Sequence, residues 1–290
     1  MDTKAGKPET QNSDAQNSST LTPEQVINLD AYPLQNPQSE AFDSIAARAK
    51  AALDAKQYVV LPNFIRPEAR RRAVAQIETV LPSANHNAST RNCYLQRRKD
   101  PALPDDHPRN ILFPASTWML AADRLPADNP LKTMYYWQNM IDFVGRIVGT
   151  EQLYANDDPM QPVNAVCYKD GDQSAWHFDS VNAFTMTLML QAPDAGGRFE
   201  IIPNTRRDDD ECVDRVRQAV QGDSDECVEV AREEGALCIF RGCNSLHRVS
   251  PVAGNRMRIM GVFVYEKEPG VIGDPEVNET VYGRATAAAE

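Results

Sequence analysis

Apolar positions recur with two different spacings along the chain, and the change of spacing separates it into two parts. In residues 39–150 they recur every three or four positions, as Phe42, Ile45, Ala49 and Leu53 do. In residues 160–268 they form short runs of four to nine residues. The first spacing is typical of amphipathic helices and the second of strands. The order, helices first and strands later, predicts an α+β protein.

The helical part contains one short apolar run that has no helical spacing. This run, Tyr58–Leu61, is bounded by Pro62 and predicts a strand. Because this strand lies among the helices, we expect residues 39–290 to form a single interwoven domain, although two domains remain an alternative. The predicted helices span residues 39–56, 67–81 and 131–148.

The second part predicts a β-rich core over about residues 160–268. An acidic helix at 209–220 interrupts it, and the residues after 268 are expected to form a C-terminal tail. Many short strands after helices predict a double-stranded β-helix (a jelly-roll or cupin-like core) with the N-terminal helices packed on it. The predicted strands span residues 164–168, 174–178, 184–190, 199–202, 236–240 and 257–265.

Two polar stretches lie outside these elements. Residues 1–38 are rich in small polar side chains and have almost no large apolar residue before Leu21, so we expect a disordered N-terminal tail. Residues 84–114 are polar and contain several prolines, which predicts a long loop of the kind that often carries function.

Composition narrows the classes of function. The net charge of −11 argues against a nucleic-acid partner, because phosphate binding needs a basic surface. No apolar run is long enough for a membrane span, and the N-terminus lacks the pattern of a secretory leader. The six cysteines show no zinc-binding spacing, and we expect reduced thiols in a cytoplasmic protein. The oligomeric state stays open.

A histidine and an aspartate stand two positions apart at the end of a predicted strand. His177 and Asp179 would point to the same face of that strand, and His247 follows seventy positions after His177. Two histidines and one carboxylate that bind one face of a metal leave its other face open, as in non-haem Fe(II) oxygenases. The alternative is that the two histidines are unrelated and serve as ordinary hydrogen-bonding residues.

Two arginines follow the third candidate ligand. Arg256 and Arg258 come nine and eleven positions after His247, and their spacing predicts that both share one face of the last strand. A guanidinium that points into a barrel needs a carboxylate partner. The far carboxylate of 2-oxoglutarate would suit, since the opposite end of that molecule chelates a metal.

With these motifs together, the chain resembles the iron(II)/2-oxoglutarate-dependent dioxygenases. It is similar to the branch that contains free-amino-acid halogenases and hydroxylases, and the resemblance covers roughly residues 90–284. The motifs that carry it are WHFD at 176–179, GGRFE at 196–200, GALCIF at 235–240, the stretch 247–258 and YGR at 282–284.

The resemblance implies a role for each motif residue. His177, Asp179 and His247 would bind Fe(II), and Arg258 would hold 2-oxoglutarate, with Arg256 as the second candidate. The reaction of this superfamily consumes 2-oxoglutarate and O2, releases succinate and CO2, and oxidises a substrate. Similar halogenases have Gly or Ala in place of the metal-binding carboxylate, which makes room for chloride. Because Asp179 is present, the resemblance implies a hydroxylase.

The substrate is predicted less directly. We expect a small polar metabolite, with a free amino acid or a derivative as the first choice. Candidate substrate residues are Arg91, Tyr94 and Asn110 in the predicted loop, Ser174 on the metal strand, and Tyr282 as a pocket lid implied by the resemblance. Two alternatives remain open, which are a hydroxylase of a protein or peptide side chain and a non-catalytic barrel that binds metal or 2-oxoglutarate.

Overall fold

The computed structural model describes residues 20–179 and 184–285 of the chain. None of the helices in these ranges is both long and apolar enough to cross a lipid bilayer. The α-helices are α1 Pro23–Val26, α2 Glu40–Lys56, α3 Pro67–Val80, α4 Pro130–Tyr135, α5 Gln138–Val148, α6 Val213–Gln221 and α7 Pro275–Tyr282.

Most strands are short, as the sequence pattern predicts. They are β1 Tyr58–Leu61, β2 Asn85–Arg91, β3 Phe113–Leu120, β4 Tyr154–Ala155, β5 Val163–Tyr168, β6 Ser174–His177, β7 Thr185–Gln191, β8 Ala195–Gly196, β9 Phe199–Ile202, β10 Val228–Glu229, β11 Leu237–Phe240, β12 Leu246–Val249, β13 Val252–Ala253, β14 Arg258–Phe263 and β15 Tyr265–Glu266.

Two antiparallel sheets face each other and form the β core. The larger has seven strands in the order β1-β11-β7-β14-β5-β3-β2, and the smaller has four in the order β10-β9-β12-β6. Apolar side chains from both sheets pack between them, and the rings of Phe199 and Phe240 lie 4.9 Å apart. This arrangement confirms the predicted α+β class with a jelly-roll core and packed N-terminal helices.

Alternation along the strands assigns each face of the larger sheet. On β7, Met186 and Leu188 pack with the helices, whereas Thr185 and Thr187 line the space between the sheets. Successive side chains of a strand point to opposite faces, so one strand serves both the helical layer and the barrel interior. The outer face of the smaller sheet is covered by α6, through residues such as Val216.

The boundary predicted for the disordered tail is wrong over residues 20–38. Val26, Ile27 and Leu34 in this segment are fully buried in the main core. Arg66 Nε donates to the carbonyls of Glu24 and Ile27, which ties the segment to the start of α3. Most of the few large apolar residues in this segment are buried, but a composition average does not detect so small a number. Residues 1–19 lie outside the described ranges.

The predicted loop at 84–114 includes a strand, β2, and the first residues of another, β3. The sequence pattern did not predict β2, because the side chains on the inner face of this strand are polar. Asn85 and Asn87 donate side-chain hydrogen bonds to the carbonyls of Val281 and Thr280 in α7. A strand that is covered by a polar helix terminus carries no apolar periodicity.

Two further elements differ from the sequence prediction. The helix predicted at 131–148 is two helices, because Trp137 adopts an extended backbone conformation between α4 and α5. The predicted C-terminal tail contains α7, which Asp274 caps at its N-terminus. The buried Asp158 carboxylate accepts hydrogen bonds from Gly273 N and Asn278 Nδ2, so α7 is anchored to the domain.

Candidate metal centre

The three predicted metal ligands converge at one end of the smaller sheet. His177 on β6 and His247 on β12 are directly paired across adjacent strands, and their ring centroids lie 4.2 Å apart. Asp179 follows the end of β6, and its Oδ1 lies 3.7 Å from His177 Nε2 and 3.6 Å from His247 Nε2. Ligand atoms about 2.1 Å from a shared ion lie at most about 4.2 Å apart, so these separations fit one metal.

Backbone carbonyls orient both imidazoles for coordination. His177 Nδ1 lies 2.7 Å from the carbonyl oxygen of Ala175, and His247 Nδ1 lies 3.0 Å from that of Ser245. A carbonyl can only accept, so each Nδ1 carries the proton and each Nε2 keeps a lone pair that is free to bind a metal. Burial and the neighbouring His247 lower the pKa of His177 to about 4, which keeps this ring neutral near neutral pH.

The Asp179 carboxylate is held by two residues that the sequence reasoning missed. Thr185 Oγ1 donates to Asp179 Oδ2, which leaves Oδ1 facing the histidines. Burial by itself raises the pKa of Asp179, but His247, His177 and Thr185 together outweigh it and lower the pKa. A Cβ added to Gly242 would lie 1.8 Å from Asp179 Oδ2, so the glycine makes room for the carboxylate.

A cavity of about 140 Å³ extends from the histidines between the two sheets. Arg258 lines it and is fully buried. Its Nε donates to the carbonyl of Gly197, whereas Nη1 and Nη2 have no hydrogen-bond partner among the described residues. Burial and the neighbouring Arg232 lower the pKa of Arg258 to about 9. The cavity therefore presents two unpaired donors of a buried guanidinium.

Arg256 does not share this face, and that part of the prediction is wrong. It precedes β14, and its guanidinium forms an ion pair with Glu234 at 2.6 Å and donates to the carbonyl of Ala192. Its backbone lies in the turn, where strand alternation does not apply. Of the two arginines, only Arg258 lines the cavity.

Arg232 is a further cavity residue that the sequence reasoning missed. Its Nη1 donates to Thr187 Oγ1 at 2.9 Å, and its Cζ lies 3.8 Å from the centroid of the Phe199 ring. Its Nε is buried without a partner among the residues that the structure describes. The residue lies in a charged stretch, 232–234, that resembles any solvated loop, so no local signal could have identified it.

Of the five predicted substrate residues, one lines the cavity and a second acts on the metal centre only through its charge. Ser174 lines the cavity, and its Oγ is 3.4 Å from His177 Nδ1. Arg91 ends β2 with a partly buried side chain that has no hydrogen-bond or ion-pair partner within residues 20–179 and 184–285. Burial and the nearby Arg97 lower its pKa, and its charge also acts on His177.

The other three predicted substrate residues do not line the cavity. Tyr94 packs 5.8 Å from the Phe178 ring, on the side of the metal strand away from the ligands. Asn110 Nδ2 donates to the carbonyls of Asp100, Leu103 and Pro104, so the Asn110 amide holds the loop together. Tyr282 in α7 lies beside Asn164 on β5.

Comparison with known proteins identifies a family and a fold. The family model described as halogenase D matches residues 42–280. The epimerase SnoN, solved with Fe3+, alpha ketoglutarate and nogalamycin RO, is 14% identical with a TM-score of 0.53, over 80% of this chain and 93% of SnoN. AviO1 from Streptomyces viridochromogenes Tue57 is 16% identical with a TM-score of 0.53, over 79% of this chain and 98% of AviO1. At these identities the likeness shows a common fold. A search of curated proteins finds no significant match.

Proposed function

The chain belongs to the halogenase D family, within the iron(II)/2-oxoglutarate-dependent oxygenases, and from this premise we propose that it hydroxylates a small polar metabolite. A free amino acid or a derivative is the substrate class that we favour. The single observation that carries the proposal is the placement of two groups around one cavity. A cluster of two histidines and an aspartate borders it, and a buried guanidinium with two free donors also lines it.

The residues present suit both an iron ion and 2-oxoglutarate. His177 Nε2, His247 Nε2 and Asp179 Oδ1 would hold Fe(II) on one face, and Arg258 would hold the far carboxylate of 2-oxoglutarate. When bound, the iron and 2-oxoglutarate would together supply the activation of O2 that substrate oxidation needs. The carbonyls of Ala175 and Ser245 keep the imidazoles oriented, and Thr185 keeps the carboxylate turned toward the metal.

Asp179 favours hydroxylation over halogenation in this family. Its carboxylate is ionised, faces both histidines and would occupy a metal position that chloride needs. Thr185 and the space at Gly242 are matched to that carboxylate. The surroundings of Asp179 therefore support a metal ligand at this position.

A carboxylate-bearing substrate is supported by Arg91. Its guanidinium lies close enough to act electrostatically on His177 and Tyr168 and has no acidic partner in the described part of the chain. A guanidinium whose charge reaches the metal centre suits a substrate carboxylate, which it can bind with two parallel hydrogen bonds. We assign Ser174 a weaker contact, through the hydroxyl that lines the cavity.

Substrate-dependent turnover tests the proposal. Anaerobically purified protein is loaded with Fe(II) and 2-oxoglutarate, offered amino acids and other polar metabolites, and then exposed to O2. We expect one metabolite to stimulate succinate release and to gain one oxygen atom by mass spectrometry. Asp179→Ala is the inactive control for hydroxylation.

Other outcomes separate the alternatives. A chlorinated product in the presence of chloride would identify a halogenase despite Asp179. Stimulation by peptides alone would favour a protein side chain as the substrate. Tight 2-oxoglutarate binding without stimulated succinate release from any metabolite or peptide would favour a binding protein.

A further inference from the structure

Two arginines bring their guanidinium groups to the same cavity, although one carboxylate needs only one of them. Arg258 reaches in from β14 of the larger sheet, and Arg232 reaches in from the loop that follows β10 at the edge of the smaller sheet. Neither forms an ion pair with a carboxylate of residues 20–179 or 184–285. The cavity therefore holds two cationic groups that no described acidic side chain neutralises.

The Arg232 guanidinium is held in place by groups on both sheets. Thr187 on β7 accepts its Nη1 hydrogen bond at 2.9 Å, and the Phe199 ring on β9 lies under its Cζ at 3.8 Å. The Cys238 thiol on β11 also interacts with the guanidinium, and Nε itself has no hydrogen-bond partner among the described residues. A group that is fixed in this way has little conformational freedom left to lose when an anion binds.

The two arginines line the same cavity and also lie within electrostatic reach of each other. Both act electrostatically on Tyr168, whose ring lies 5.2 Å from Arg258 Cζ, and Arg232 contributes to the lowered pKa of Arg258. Two like charges in a low-dielectric cavity repel each other, and this repulsion is relieved when an anion binds between them. The pair therefore suits an anionic group that accepts hydrogen bonds from both arginines.

We propose that Arg232 is a second anchor for the far carboxylate of 2-oxoglutarate, an inference that rests on the proposed function. Arg258 Nη1 and Nη2 supply two donors, and Arg232 Nε supplies a third from a residue of the loop after β10. A carboxylate has two oxygens that accept several hydrogen bonds, so it can satisfy all three donors. Arg232 is thus a positioning residue that selects 2-oxo acids with a second carboxylate.

Binding measurements on the anaerobic Fe(II) protein test this role without turnover. The dissociation constant of 2-oxoglutarate is compared with that of 2-oxopentanoate, which has the same chain length but no far carboxylate. We expect Arg232→Met to weaken 2-oxoglutarate binding by about tenfold or more, because a charged hydrogen bond is lost. Its dissociation constant for 2-oxopentanoate should stay within about twofold of the parent's. Arg232→Lys should recover part of the loss, because it restores the charge without the donor geometry.

Two further variants sharpen the result. The double variant Arg232→Met with Arg258→Met should weaken 2-oxoglutarate binding by less than the product of the two single effects, because both arginines contact one carboxylate. Arg198→Met is the matched control, since Arg198 is a largely exposed arginine paired with Glu229 outside the cavity, and its dissociation constants should not change.

The outcomes distinguish this inference from the proposed function. If Arg232→Met binds both 2-oxo acids as the parent does, Arg232 only packs on Phe199, and the second anchor is disproved while 2-oxoglutarate binding stands. If the parent does not prefer 2-oxoglutarate to 2-oxopentanoate, the far-carboxylate site itself is disproved. If Arg232→Met does not fold, the test uses Arg232→Lys instead. A dissociation constant for 2-oxoglutarate that is the same in Arg232→Lys as in the parent overturns the inference.

Discussion

Gly242 shows how one absent side chain determines the position of a metal ligand. Its backbone conformation is open to any residue, yet a Cβ there would overlap the Asp179 carboxylate. The carboxylate occupies that space and accepts a hydrogen bond from Thr185. Thus Gly242 and Thr185 determine the orientation of Asp179, while Asp179 itself contacts the histidines.

We predict that Gly242→Ala weakens metal binding by roughly 10- to 100-fold, the usual effect of disturbing the groups that orient a metal ligand. The methyl group would push the carboxylate away from Thr185 and from the shared ligand position. Calorimetric titration of the metal-free protein with Fe(II) under anaerobic conditions measures the change.

Gly261→Ala is the matched control for that substitution. Gly261 is also a buried glycine without positive φ, but a Cβ there meets Leu131 in the helical core, at 3.3 Å. It should lower stability and leave metal affinity unchanged. A folded Gly242→Ala protein with the parent's metal affinity would contradict the role of Gly242.

Cysteine reactivity gives a second prediction at the scale of single residues. Burial raises the pKa of the Cys93 thiol to about 12, so almost none of it is thiolate at pH 8. Cys227 is exposed. We expect a maleimide to label Cys227 in the native protein within minutes and to label Cys93 only after unfolding, as peptide mass spectrometry would show. Rapid native labelling of Cys93 would mean that the β2–β6 region opens frequently.

At the scale of elements, polar composition concealed three structured segments. The segment that contains α1 enters the core with only five large side chains, β2 turns a polar face toward α7, and α7 is anchored by the Asp158 carboxylate. Each segment depends on contacts with distant parts of the chain. A window of local sequence therefore predicts a tail or a loop where the tertiary structure has an ordered element.

We predict that Ile27→Ala lowers the free energy of unfolding by about 2–4 kcal/mol, the usual cost of truncating a buried isoleucine. Ile27 is fully buried beside α3, so the substitution leaves a cavity in the main core. Denaturant titration followed by circular dichroism measures the change. Gln35→Ala, at an exposed position of the same segment, should change stability by less than about 0.5 kcal/mol. Equal effects of the two variants would argue that the segment is not part of the folded core.

At the scale of the whole molecule, both sheets contribute residues to the site. The two histidines lie on the smaller sheet, whereas Arg258 and Thr185 lie on the larger one. A ligand that joins the metal to Arg258 therefore connects the sheets. Because it binds the folded protein and not the unfolded chain, it should stabilise the native state.

We predict that 2-oxoglutarate at a hundred times its dissociation constant stabilises the anaerobic Fe(II) protein by about 2.7 kcal/mol. Thermal unfolding with and without the ligand measures the effect. At the same concentration, 2-oxopentanoate should stabilise less, and Arg258→Met should remove most of the difference between the two ligands. Equal stabilisation by both ligands in the parent would mean that the two sheets are not linked through Arg258.

The sequence by itself determined the features that depend on local periodicity. Helical and strand spacing predicted the α+β class and most of the elements, because burial on one face imposes a period on each segment. The two-residue spacing of His177 and Asp179 and the strand position of Arg258 predicted which side chains could meet. The chemistry of an open-faced metal site, which takes two histidines and one carboxylate, joined His247 to them, and the resemblance assigned the metal as Fe(II).

Only the tertiary structure decided which distant residues complete the site. The pairing of β6 with β12 brings His177 opposite His247, the turn before β14 sends Arg256 to the surface, and the loop after β10 sends Arg232 into the cavity. Local spacing constrains the direction of a side chain relative to its own strand. It contains no information about which other segment will face that side chain, because that depends on how both sheets pack together.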